Sequence, residues 1–177
     1  SSDLILLSML SGSLSVSAQE YVRPESRHEN MIMEAVSAYD ARNIGEAERL
    51  LNAVIAEDPG NDAAWYYLAQ CAVVKKDLTL AEQCYRTASE LDPDNFWYRY
   101  RLARLYSVTS RPELTMEMYE ELLDDFPKKN DVYFDLVEVY LAQKEYDKAL
   151  EVLKEIETVF GMTESIAMFR FNLLQQM

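Results

Sequence analysis

The chain is poor in the residues that break helices, with four glycines and five prolines in 177 residues. That scarcity excludes a collagen-like repeat and a Gly/Pro-rich disordered chain, and it leaves few of the turns that a many-stranded sheet consumes. Histidine is almost absent: with His28 as the sole copy, no histidine-rich metal site can be assembled. Cysteine is scarce too, and the 13-residue separation of Cys71 and Cys84 matches no metal-ligand signature. Positive charge is in deficit, 17 Lys and Arg against 31 Asp and Glu, for a net charge of −14. A chain so acidic lacks the broad attraction to phosphate backbones and anionic membranes that non-specific binding needs, so no nucleic-acid partner is expected. Much of the acid lies in helix-like stretches such as residues 117–125, where it reads as a solvated face.

Catalytic signatures are missing as well. There is no P-loop, no Gly-x-Gly-x-x-Gly, no Gly-x-Ser-x-Gly and no His-Glu-x-x-His. Abundant carboxylates on helix faces do not make an acid–base pair, which requires two groups in one cleft with separated pKa values. The expectation is a protein that is not an enzyme and holds no cofactor and no metal.

Ala, Leu, Glu, Tyr and Met are plentiful, and 49% of the residues are hydrophobic. These types favour long helices joined by short turns, hence an all-α fold with enough apolar surface to build a core. Residues 1–18 stand apart. Leu4-Ile5-Leu6-Leu7-Ser8-Met9-Leu10 is too short to span a bilayer, and Val16-Ser17-Ala18 is a small-x-small ending. The segment resembles the later part of a secretory signal peptide, although it has no Lys or Arg before Leu4. It predicts export to the periplasm or envelope, and a cytoplasmic chain if the resemblance is accidental. Residues 19–27 read as a linker.

The strongest signal is internal. Pro59, Pro93 and Pro127 are spaced by 34 residues, and Gly161 follows at the same interval. Leu68, Leu102 and Leu136 repeat in phase, as do Ala47, Ala81, Thr115 and Ala149, with Tyr85 and Tyr119, and Tyr106 and Tyr140. Self-similarity at such a period marks stacked supersecondary units. The boundaries fall at about 28–61, 62–95, 96–129 and 130–163, with a terminal helix at 164–177.

Each unit reads as helix A, a turn, helix B and a second turn. In residues 62–95, Trp65, Leu68, Ala69 and Ala72 share one face of a helix over 62–75. Ala81, Tyr85 and Ala88 face back from a second helix over 78–91, and the small side chains allow close approach. Asp92-Pro93-Asp94-Asn95 then ends helix B, because proline offers no N–H, and Asp94 or Asn95 can cap the next helix. The two cysteines fall on these neighbouring antiparallel helices, either as a pair or as free buried thiols.

Trp65, Leu68, Ala69, Ala81, Tyr85, Ala88 and Pro93 together resemble the tetratricopeptide repeat (TPR). The third unit keeps Leu102, Ala103, Tyr106, Tyr119 and Pro127 but has Arg99 and Thr115 at two signature positions. The fourth keeps Tyr133, Leu136, Tyr140 and Ala149, and the first keeps Ala35, Ala47 and Pro59. The resemblance implies a right-handed superhelical α-solenoid of about four repeats plus a terminal helix, spanning 28–177.

It also implies that A helices line a concave groove for an extended peptide or partner protein. By phase the groove carries Tyr66, Tyr67, Gln70, Trp97, Tyr100, Arg101, Arg104 and Phe134. Tyr66, Tyr67, Trp97 and Tyr100 are expected to grip apolar side chains while Arg101 and Arg104 hold a carboxylate. Against this stands pairing within the array, since Arg101 is in phase with Asp135 and Arg104 with Glu138. The chaperone-associated members use Lys and Asn in a carboxylate clamp, and here Ile32, Val36 and Tyr67 occupy those places. Two functions follow: an interaction scaffold or adaptor, or a sensory or regulatory segment of a larger polypeptide such as a sensor kinase. Ile166, Phe169, Phe171 and Leu174 would leave an apolar C-terminal edge, either continued by further repeats or used for self-association.

Overall fold

The computed structural model describes residues 24–175. The expected signal-like segment over 1–18 lies outside the described residues. Nine helices and no strand occur among the described residues: α1 (Pro24–Asp40), α2 (Ile44–Glu57), α3 (Asp62–Val74), α4 (Leu78–Leu91), α5 (Phe96–Val108), α6 (Pro112–Asp125), α7 (Asn130–Ala142), α8 (Tyr146–Phe160) and α9 (Glu164–Leu174). Each packs chiefly on its neighbours in the chain, which makes the fold an all-α repeat solenoid. No helix among the described residues is long and apolar enough to cross a membrane.

Two kinds of turn enforce the period. Between B and A helices, Asn61 and Asn95 cap the following helix by accepting from the N–H of Ala64 and Trp97. Between A and B helices, Arg42, Lys76, Ser110 and Lys144, again 34 apart, all adopt positive φ near 60°. Each closes its helix with a bond reaching back five residues from the next amide, as from Asp77 N to Ala72 O at 2.9 Å and from Glu145 N to Tyr140 O at 2.9 Å. Such a turn normally takes glycine, which has no Cβ to clash in the left-handed region. None of the four is glycine here.

α1 opens at Pro24, ahead of the expected start at His28. Proline suits the first turn of a helix because its missing N–H would have no helical partner there. His28 is buried against α2, with Nε2 3.1 Å from Glu57 Oε2. Two apolar cores run through the array and meet on α5, where Leu102, Leu105 and Tyr106 join the N-terminal core and Phe96, Tyr100 and Ala103 the C-terminal one. Cys71 and Cys84 are both free and fully buried, and burial pushes each thiol up to about 11.

Candidate functional site

α3, α5 and α7 are buried around most of their circumference and leave to solvent a narrow stripe whose positions recur every three or four residues. On α3 that stripe carries Tyr66, Tyr67 and Gln70, all half-buried; on α5 it carries Trp97, Arg101 and Arg104, all exposed. A cleft of about 430 Å³ is lined by Ala63, Tyr66, Tyr67, Asn95, Trp97, Tyr98 and Arg101. It draws together four of the residues expected from phase.

Aromatic packing holds this cleft in shape. The Tyr66 ring lies 5.2 Å from Tyr67, 4.9 Å from Tyr98 and 5.8 Å from Tyr85. Tyr98 is fixed in turn because its hydroxyl donates to Asp62 Oδ2 at 2.6 Å. Trp97 leans edge-on against Phe96 at 5.1 Å and is still 53% exposed. A large, half-free indole at a rigid rim is the side-chain type that most often anchors a partner. On its far side, Lys129 Nζ sits 4.3 Å from the Phe96 ring centre and 5.6 Å from that of Trp97. Sequence phase missed Tyr98, which lines the cleft, and Lys129, which backs Trp97 from outside it, since both positions matter only through side-chain packing.

A second cleft, of about 570 Å³, opens further along α5 between Arg104, Ser107, Tyr119, Asp135 and Glu138. Tyr100 divides its contacts differently from expectation. Only 8% of it is exposed, its ring stacks on Phe96 at 5.2 Å, and its hydroxyl donates to Asp135 at 2.8 Å. It is a wall of the site and offers a ligand almost no surface. Phe134 packs 5.2 Å from Phe169 of α9, away from the tyrosine cleft.

The expected pairing of arginines within the array does not form. Asp135 accepts from Tyr100 and also from Tyr119, at 3.3 Å, in place of Arg101. Arg99, on the neighbouring face of α5, is tied to Asp125 and Glu121, whereas Arg101 and Arg104 make no ion pair among the described residues. Burial disfavours the charged form of Arg101, and the Tyr66, Tyr85 and Tyr100 phenols outweigh it, so its guanidinium is held firmly charged. Arg104 lies 6.0 Å from the Tyr100 ring centre. The combination is chemically specific: a half-exposed indole, two tyrosine rings and two cations with donors to spare.

Models of the tetratricopeptide repeat match residues 32–96 and 109–159. No curated protein matches the sequence. Among solved structures, a tetratricopeptide repeat protein from Parabacteroides merdae superposes with a TM-score of 0.74 at 20% identity, over 82% of this chain and 58% of its own. YrrB, a TPR protein with an unusual peptide-binding site, gives 0.65 at 15% identity over 76% of this chain and 70% of its own. An O-GlcNAc transferase from Thermobaculum terrenum gives 0.60 at 20% identity, over 67% of this chain but 23% of its own. At such identities the likeness shows the fold alone.

Proposed function

Because the chain belongs to the tetratricopeptide-repeat family, whose repeats serve in general as protein-interaction scaffolds, we propose that it is a non-catalytic adaptor holding an extended peptide of a partner protein in its groove. Tyr66, Tyr67 and Trp97 take an apolar side chain of that peptide. Arg101 and Arg104 take an acidic side chain or a carboxylate terminus beside it, and Gln70 offers hydrogen bonds between them. One observation carries the reading: in a chain of net charge −14, Arg101 beside the exposed Trp97 and Arg104 further along the same stripe make no ion pair among the described residues. Their neighbours are used inside the fold: Arg99 of α5 pairs with Asp125, and Arg111, at the N-cap of α6, pairs with Glu82.

The test is a pull-down from native cells with wild-type bait and a Trp97→Ala, Arg101→Glu, Arg104→Glu variant, checked for unchanged helicity. A partner held by the wild type and lost by the variant supports the groove. Recovery of the same proteins by both baits overturns it. For residues 1–18 our reading is export, with removal at Ala18. Sequencing the mature N-terminus from native envelope fractions should read from Gln19, and a chain still carrying Leu4 to Leu10 would refute it.

A second reading has one observation in its favour. The alignment spans 58% of the Parabacteroides merdae chain and 23% of the transferase, so arrays of this size form parts of longer polypeptides there. This chain would then be the sensory or regulatory segment of such a protein. The coding sequence beyond residue 177 decides between the two, through a catalytic domain in one case and its absence in the other.

A further inference from the structure

The last helix breaks the size pattern of the array at one face. Its register is secure: its N-cap Thr163 stands in phase with Asn61, Asn95 and Lys129. Ile166 and Leu173 are buried against the array, Phe169 packs on Phe134, and Arg170 bonds Glu157 of α8 at 3.0 Å. The eighth position of each repeat is Ala or Val in all four full repeats, namely Ala35, Ala69, Ala103 and Val137, each 1% exposed or less. Ala35 is buried even though no helix precedes α1 among the described residues, so the cover over this position is the B helix that follows.

In α9 that position is Phe171, 60% exposed, with Leu174 beside it at 57%. The fourth position is inverted in the other sense. Met31, Trp65, Arg99 and Tyr133 are large, whereas α9 has Ala167. A helix packed on α9 as α4 packs on α3 would collide with Phe171 and leave a gap over Ala167. Overpacking and voids are both costly, so this face is not shaped for a B helix of the same kind.

We propose that the face is shaped for itself, and that two copies of the chain associate through α9 about a two-fold axis. An antiparallel α9 pair centred near residue 169 puts Phe171 of each copy over Ala167 of the other, one knob and one hole repeated by symmetry. Leu174 then extends toward the partner's turn around Met162, which is 52% exposed. Charge favours the same contact. Residues 159–175 carry only Glu164 and Arg170, so within a chain of net −14 this is a neutral surface where two copies approach with little repulsion. A head-to-tail stack is disfavoured because the corresponding outer face of α1 presents Asn30, Glu34 and Ser37, all exposed and none apolar. The contact is independent of the groove.

Light scattering on the full chain across a concentration series should show a monomer–dimer equilibrium. Phe171→Glu, at a solvent-exposed site, should leave the circular dichroism unchanged and weaken association at least about tenfold, since the change counts twice in a two-fold interface. Ala167→Phe alone should weaken it as well, and Ala167→Phe with Phe171→Ala, which exchanges knob and hole, should recover part of it. A wild-type chain that stays monomeric up to its solubility limit overturns the proposal, as does a dimer indifferent to Phe171→Glu or a double variant no better than its parents.

Discussion

The second repeat and the two that follow it reach the same backbone with different side-chain volumes. In the second repeat four covered positions are small: Ala64, Ala72, Cys84 and Ala88 are completely buried. One repeat on, Tyr98, Tyr106, Met118 and Leu122 stand in those places, and one further Val132, Tyr140, Val152 and Ile156. The larger residues bring phenols whose hydroxyls reach rim carboxylates. Tyr133 donates to Glu155 at 3.3 Å and Tyr140 bonds Glu120, as Tyr98 does Asp62. No buried side-chain polar atom among the described residues is left without a partner.

The ends of the helices differ in the same direction. In the N-terminal half Asn43, Asn61, Asp77 and Asn95 all cap the following helix through a side-chain oxygen. Of the equivalent C-terminal places, Thr163 makes such a bond, and Arg111, Lys129 and Glu145 do not. A cap contributes about 1 kcal/mol, so side-chain caps weigh more in the first half and large buried rings weigh more in the second. A repeat period therefore specifies where a helix must stop and where it must be slim, and leaves the filling open.

The largest break in this comparison should come from the rings. Tyr119→Ala, at a site 2% exposed, should cost about 3–5 kcal/mol and accelerate amide exchange in α6 to α8 far more than in α1 to α3. Equal acceleration everywhere would make the array one cooperative unit and dissolve the contrast between halves. Next is Ala69→Val, which should cost about 1–3 kcal/mol in urea unfolding even though valine is native at the in-phase Val137. Full tolerance would show that α3 and α4 are not held close by their small residues.

Caps should matter by about 1 kcal/mol each way: Asn61→Ala loses that much, and Glu145→Asp, copying Asp77, gains it. Smaller again is Lys144→Gly, which relieves a positive φ of 60° and should stabilise the fourth repeat by up to about 1 kcal/mol. The alkaline response separates the halves without mutation. Cys71 and Cys84 keep their protons to about pH 11 when folded, so the folded state binds them more tightly than the unfolded chain. Their contribution is complete below the ordinary thiol range and declines as pH rises from about 9 toward 11. Loss of protection should begin in α3 and α4, and Cys71→Ala with Cys84→Ala should flatten that early part.

The helix pairs were legible because proline and small residues at a 34-residue interval are local signals. Helix α4 occupies the 78–91 predicted for it, and α3 ends one residue short of the expected 75, where Lys75 takes the C-cap. The four left-handed turn residues were not legible, since Arg, Lys, Ser and Lys carry no sign of positive φ. At the site, phase located the tyrosine, tryptophan and arginine stripe. It could not tell that Tyr100 would spend its hydroxyl on Asp135, because that bond depends on how α5 leans on α7. Nor could it tell that Arg101 and Arg104 would make no ion pair among the described residues, as in-phase residues lie near one another without their side chains having to meet.

What the amino-acid sequence determined by itself was periodic: helix starts and stops, the slim positions, the solvent-facing stripe of α3 and α5 and the acidic surface, each set by neighbours a few residues away or one repeat along. The tertiary structure alone decided which phenol took which carboxylate and, among the described residues, which cations make no ion pair and which side chains of α9 are exposed. Those outcomes depend on competition among side chains from different helices for the same space and the same acceptor, and no local interval records the winner.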